Sequence, residues 1–253
     1  MTAPLPHPVV TRDRWREERR RLLVREKALT RQQDEIARER RALPWVRVDT
    51  PYVFDTPDGP RRLGELFDGR SQLIVQHFML GPGWDAGCPS CSFMADHTDG
   101  MTVHLAARDI AFVAISRAPL AEITRFRDRM GWRFRWVSSF GNGFNQDFGV
   151  SFSPEDVARG TVDYNDQVQA FPSTEAPGIS VFVRDDSGAV FHTYATHGRG
   201  VEAMMGSYVL MDLTPQGRGE RDVPYRMNWV RHHDRYEEAP APTAAAGCCT
   251  AHG

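Results

Sequence analysis

Between Thr11 and Leu43 the chain carries neither glycine nor proline, and its apolar residues keep a seven-residue interval at Trp15, Leu22, Leu29, Ile36 and Leu43. That interval, filled in with strong helix formers, predicts one long helix that stops before Pro44. The stripe is one position wide, with Leu23 and Val24 beside it. Arg19, Glu26, Gln33 and Arg40 occupy the second apolar position of a coiled-coil heptad, which argues against an autonomous two-stranded zipper. An arm lying on its own domain, or on a second subunit as a homodimer contact, suits the pattern better.

Beyond Pro44 the period changes. Val46 to Val48 and Tyr52 to Phe54 read as short strands, with Asp58-Gly59 as a turn signal. Leu63 to Phe67 reads as a helical turn. The nearly continuous apolar run at 73–79 suits a central strand covered on both faces. Ser92 to Arg108 is helix-capable with a bend at Gly100, and Ile110 to Ile115 is a second buried strand, which closes a strand–helix–strand unit with a right-handed crossover. A helix from Leu120 to Met130 follows, with Pro119 before it and Gly131 closing it. Phe134 to Ser139 is the next strand, Gly141 to Gly149 a loop, and Ser153-Pro154 the start of a short capped helix. Ile179 to Arg184 and Ala189 to Tyr194 alternate with period two and predict a hairpin at the sheet edge. Gly200 to Met211 reads as a last helix, and Arg218 to Asp234 fits no element.

The fold class expected is α/β: a central mixed sheet flanked by helices, with a long N-terminal helical arm. Residues 1–44 form the arm, 45–235 the main domain, and 236–253 a flexible Pro/Ala-rich tail. At 253 residues and 41% apolar content the chain can bury one sizeable core. Its net charge of −2 predicts no nucleic-acid partner, although residues 12–41 hold twelve basic against seven acidic side chains, so the arm is basic and the body acidic. No apolar stretch approaches the ~20 residues a membrane helix needs. The start of the chain lacks the basic and apolar regions of a secretory signal, which predicts a cytoplasmic protein and no membrane partner.

Four cysteines in such a chain argue for catalysis or metal binding rather than a disulfide framework. Cys88-Pro89-Ser90-Cys91 follows the apolar strand at once and opens a helix. The unpaired N–H groups of a helix start carry roughly half a positive charge and favour a thiolate. Cys88 is therefore the expected nucleophile, and Cys91 the resolving thiol that releases a mixed disulfide.

The order of strand, Cys-x-x-Cys at a helix start, strand, helix, strand, then proline before a hairpin resembles the thioredoxin superfamily. More closely, the stretches His77 to Cys91 and Gly131 to Ser139 resemble a bacterial family of thioredoxin-like proteins catalogued as a domain of unknown function, over about Thr11 to Arg218. The resemblance implies a thioredoxin-like sheet and a dithiol acting on a protein or small-molecule thiol or disulfide, with no cofactor. It also implies that Pro177 is a cis-proline facing the dithiol. The adjacent Cys248 and Cys249 fall outside the family pattern.

The same thiols admit a metal reading. Zinc needs two further ligands, for which His77, His97, Cys248, Cys249 and His252 are the candidates, whereas copper(I) needs fewer and prefers thiolates. The Pro/Ala-rich stretch before Cys248 can span ~30 Å, so the tail thiols can reach Cys88; a disordered tail is the plainer reading. A peroxiredoxin pattern would place Pro and Thr or Ser where Gly81 and Asp85 stand, and no Gly-Lys-Ser or Gly-Lys-Thr follows Gly81-Pro82-Gly83 to make a phosphate loop. Trp84 is either part of a partner-docking surface or packed on its own loop. Asp85 reads as a loop cap or proton relay, though as a negative neighbour it would oppose the thiolate. His77 reads as a hydrogen-bonded core residue, His97 and His104 as structural, and His232-His233 as adjacency without ligand spacing.

Overall fold

The computed structural model describes residues 7–236. Helix α1 (Arg12–Ala42) starts at Thr11, whose hydroxyl accepts the backbone N–H of Arg14. None of its residues is buried, and Trp15, Leu22, Leu29, Ile36 and Leu43 are 39–55% exposed. The helix therefore does not lie on its own domain, which corrects one of the two arrangements expected of the arm. The reason lies beside the stripe, where Arg19 and Glu26 pair at 2.8 Å: laying this face on an apolar surface would strip those charges of water.

The body is a six-stranded sheet in the order β1-β10-β9-β4-β5-β6. Its members are β1 (Val46–Arg47), β4 (Gln72–His77), β5 (Ile110–Ser116), β6 (Trp136–Ser138), β9 (Gly178–Arg184) and β10 (Val190–His197). Strand β4 pairs parallel with β5 and antiparallel with β9, and β5 pairs parallel with β6. Between β4 and β5 lie α2 (Pro89–Thr98) and α3 (Thr102–Ala106), and α4 (Leu120–Met130) leads to β6. Gly131 ends α4 in the left-handed conformation, φ 66°, donating its N–H to the helix's last carbonyls. With β4, the strand before the cysteines, inside the sheet and an antiparallel hairpin on one side of it, the sheet is thioredoxin-like.

Period-two alternation divides the core between the two faces. Leu73, Val75, Val113 and Ile115 pack with Phe54, Phe67 and Phe182 on one side; Phe112 and Ala114 pack with Phe78, Phe126, Trp132 and Trp136 on the other. This double cover explains the nearly continuous apolar run that contains β4. A small hairpin of β2 (Val53–Phe54) and β3 (Arg61–Arg62) turns at Gly59, as the Asp58-Gly59 signal predicted.

Four details depart from the sequence reading. The predicted hairpin, β9–β10, is not the sheet edge, because β1 pairs outside β10. The Gly141–Gly149 loop contains a helical turn, α5 (Phe144–Asp147), since Phe144 drops between Tyr52, Phe54 and Phe148 and is fully buried. After α6 (Pro154–Ala158), capped by Ser153, a hairpin of β7 (Val162–Tyr164) and β8 (Gln167–Gln169) forms over residues assigned no strand. The last helix divides into a 3-10 turn, Gly198–Met204, and α7 (Gly206–Met211), because the intervening Met205 leaves helical geometry to bury its side chain.

Candidate functional site

Cys88 is placed by backbone. The chain leaves β4, makes a loop and returns, so that the Cys88 N–H donates to the Met79 carbonyl at 3.0 Å. Cys88 is then the N-cap of α2, with Pro89 in the first turn, where its missing N–H costs nothing. The Cys88 carbonyl accepts the backbone N–H and hydroxyl of Ser92, and the Cys91 carbonyl accepts the side-chain amide of Gln76. No side chain caps the helix, so the N–H groups of its first turn face the Cys88 side. Both cysteines are buried, at 5% and 2% exposed, and no disulfide joins them.

The loop before Cys88 is held by other residues than those singled out. Glu122 of α4 accepts the Gly83 N–H at 3.0 Å, while Asp85 is exposed, so the loop-capping role falls to Glu122. Trp84 packs against the aromatic core cluster. A Cβ at Gly87 would stand 2.5 Å from Phe78 Cε1 and 2.7 Å from Phe126 Cε1, so only glycine lets the chain pass between these rings. Beneath the loop, the buried Glu175 carboxylate receives the Arg117 guanidinium and the Ser151 hydroxyl.

Cys88 and Cys91 line one cavity that opens to solvent, and Pro177 lines it with them. Trp84 is not among its walls. The Ala176–Pro177 peptide is trans, against the cis bond expected from the family resemblance. The segment is extended there: Ala176 N–H donates to Val150, and the Pro177 carbonyl accepts the Tyr164 hydroxyl at 2.7 Å, a pattern a trans chain satisfies. The Tyr164 oxygen also accepts the Gly198 N–H, tying β7 to the start of β9 and the end of β10.

The remaining walls are mostly apolar, with Met94, Phe171, Val201 and Met205 among them. On the rim Glu202 is shared by Arg199 and Arg218, and Arg218 also pairs with Asp212. Burial alone would raise the Glu202 pKa, but the two guanidiniums hold it below the usual range. Tyr208 is pushed well up by burial and by donating its proton to Glu220.

The unassigned stretch Arg218 to Asp234 supplies one side of this cavity through Arg226 and Met227. It is strapped down by His232, whose Nε2 donates to the Gly87 carbonyl at 2.8 Å while Arg129 donates to Nδ1, by the ion pair Asp234–Arg129 and by the hydrogen bond between His233 Nδ1 and Asp96. Burial lowers the His232 pKa most, and the hydrogen bond to the Gly87 carbonyl pulls the other way. His232 thus sits beside the cysteine loop, which its doublet with His233 gave no means of reading.

The other histidines are committed elsewhere. His77 is buried, its Nε2 hydrogen-bonds Ser180, and burial followed by the neighbouring His197 and His192 pushes its pKa down to about 3. His97 Nε2 accepts the Ser207 N–H, so Nδ1 donates to the Phe93 carbonyl and the ring staples α2 to α7. His104 is exposed. Among the described residues no group of three or more His, Cys, Asp or Glu side chains is placed to hold a metal ion. Cys248, Cys249 and His252 lie outside the described residues. No helix among those residues is long and apolar enough to cross a membrane.

Residues 4–236 match a family described as bacterial protein of unknown function (DUF899). No curated protein matches the chain. Among solved structures it is similar to the peroxidoxin BcpB of Mycobacterium tuberculosis, at 15% identity and a TM-score of 0.41, over 65% of this chain and 96% of that one. The bacterioferritin comigratory protein of Xanthomonas campestris is similar at 10% identity and 0.41, over 61% and 88%. A hypothetical protein of Sinorhizobium meliloti 1021 is similar at 15% identity and 0.39, over 61% and 69%.

Proposed function

Because the chain belongs to the DUF899 family of bacterial proteins of unknown function, which brings no reaction with it, we propose from the site alone that the protein is a thiol–disulfide oxidoreductase working through Cys88 and Cys91. The observation that carries this reading is that both thiols line one solvent-open cavity, with Cys88 as the cap of α2. The helix start stabilises a Cys88 thiolate, and a site facing mostly apolar walls strengthens that interaction.

Cys88 attacks one sulfur of a substrate disulfide; a bond forms to that sulfur, the substrate S–S bond breaks, and one thiolate leaves and takes up a proton. Cys91 then attacks Cys88, a Cys88–Cys91 disulfide forms, and the second substrate thiolate departs. The substrate gains two electrons and the dithiol loses them. His232 and Gly87 position the attacking residue without touching substrate. The depth of both thiols favours a small disulfide or a narrow peptide over a flat protein surface, and a dithiol kept reduced suits the cytoplasm.

The test is single-turnover oxidation of the reduced full chain by 2-hydroxyethyl disulfide. Cys88→Ser should abolish the reaction, and Cys91→Ser should stop it at a mixed disulfide on Cys88, visible by intact mass. Unchanged rates in both variants would refute the assignment. Stoichiometric copper or zinc in protein purified without chelator would give the thiols to a metal instead.

A further inference from the structure

The walls of the dithiol cavity are mostly apolar, and one cation on its lining has no ion-pair partner among the described residues. Arg226 is exposed on the cavity lining, and among the described residues no carboxylate lies within ion-pair distance of it. The other guanidiniums nearby are engaged, Arg199 by Glu202 and Arg218 by Glu202 and Asp212. Asp222, four positions before Arg226, makes no ion pair with it among the described residues, and Glu220 is engaged: its Oε1 accepts the Tyr208 hydroxyl, the Met227 N–H and the Trp229 indole N–H. Arg226 is therefore the rim charge left for a ligand, a fork of donors suited to a carboxylate.

From this arrangement we infer that the substrate is a small disulfide on an apolar chain that ends in a carboxylate. The inference rests on the dithiol reading above and gives it a substrate class. The chain lies against Met94, Val201, Met205 and Phe171, the S–S bond meets Cys88, and the carboxylate meets Arg226. The step is the exchange already written: the ligand's S–S bond is reduced to two thiols as Cys88 and Cys91 become a disulfide, stoichiometrically and with no further reductant.

Lipoate and lipoamide test this, since they share a cyclic disulfide and an apolar chain and differ in ending on a carboxylate or a neutral amide. Oxidation of the pre-reduced full chain is followed in single turnover against the concentration of each. A charge-assisted contact at an accessible rim predicts a half-saturating concentration about tenfold lower for lipoate. Arg226→Gln should abolish that preference by weakening lipoate alone, and Arg226→Lys should restore part of it. Equal half-saturation in the wild type, or a preference unchanged in Arg226→Gln, overturns the carboxylate inference and leaves the dithiol reading standing. If neither compound, nor 2-hydroxyethyl disulfide, oxidises the dithiol, the dithiol reading fails and the inference with it.

Discussion

Replacing Gly87 by alanine asks how tightly the fold grips the residue before the nucleophile. Gly87 does not have a positive φ, so backbone strain is not at issue. The added Cβ meets Phe78 at 2.5 Å and Phe126 at 2.7 Å, about 1 Å inside ordinary carbon contact. Neither ring is free to yield: both are under 5% exposed, and Phe78 lies 5.9 Å from Trp132 and 4.3 Å from Trp136 by ring centroids. Overpacking of this kind costs about 1–3 kcal/mol, and the tightness of the cluster places it at about 2–3. Alanine also restricts the unfolded chain, which returns about 0.4–1 kcal/mol. The net loss is about 1–2.6 kcal/mol, or about 2–10 °C in melting temperature for a domain of this size.

Urea unfolding with an unchanged m-value measures the loss. The rate of Cys88 alkylation reads the site, because displacing Gly87 disturbs the contact of its carbonyl with His232 and the bond from Cys88 to Met79. Gly83→Ala is the control. Its φ of 77° brings strain of about 1 kcal/mol, but its Cβ enters open space, so Cys88 reactivity should stay as it is. A Gly87→Ala protein with the wild-type midpoint and wild-type alkylation rate would show that the aromatic cluster does not clamp the loop.

His77 should make the protein acid-sensitive. Its pKa is about 3 when folded against an ordinary 6.5, so the unfolded chain takes up the proton first, and stability falls as pH drops from about 6.5 towards 3. The loss reaches about 2 kcal/mol at pH 5, and a His77→Gln variant with an equally steep pH profile would refute the assignment. Arg117→Ala leaves the Glu175 carboxylate, 2% exposed, with the Ser151 hydroxyl; the expected cost is about 2–4 kcal/mol, lower than for a fully buried pair because Arg117 is 25% exposed. The double change of Arg117 and Glu175 to methionine should recover most of it in denaturant titrations. A loss under about 0.5 kcal/mol for Arg117→Ala would show that this pair is not what holds Glu175.

Local signals were legible wherever chain neighbours carry the physics. The heptad interval, the Leu120–Met130 helix with its Gly131 stop, and the Ser153 cap depend on contacts three or four residues apart, and each lies where the residues indicate. The nearly continuous apolar run that contains β4 likewise announced a strand covered on both faces. The placement of Cys88 at a helix start needed only the strand before it and Pro89 after it. His77 was readable as core because it ends an apolar strand.

The rest waits on contacts between residues far apart in the chain. Burial of Phe144 turns a glycine-rich loop into α5, since the rings that receive it come from Tyr52 and Phe54 some ninety positions earlier. The peptide before Pro177 stays trans because Val150 and Tyr164 hold that segment extended, which no residue beside it announces. The cavity itself has this origin. Cys88, Pro177 and Arg199 meet through the pairing of β4 with β9 and of β9 with β10, and Arg226 joins them through the strap from Arg218 to Asp234, pinned through His232 to Gly87 and through Asp234 to Arg129. Sequence carries the chemistry of each side chain and the short-range periods; which side chains share one space depends on loop closures and buried hydrogen bonds that form only as the whole chain packs.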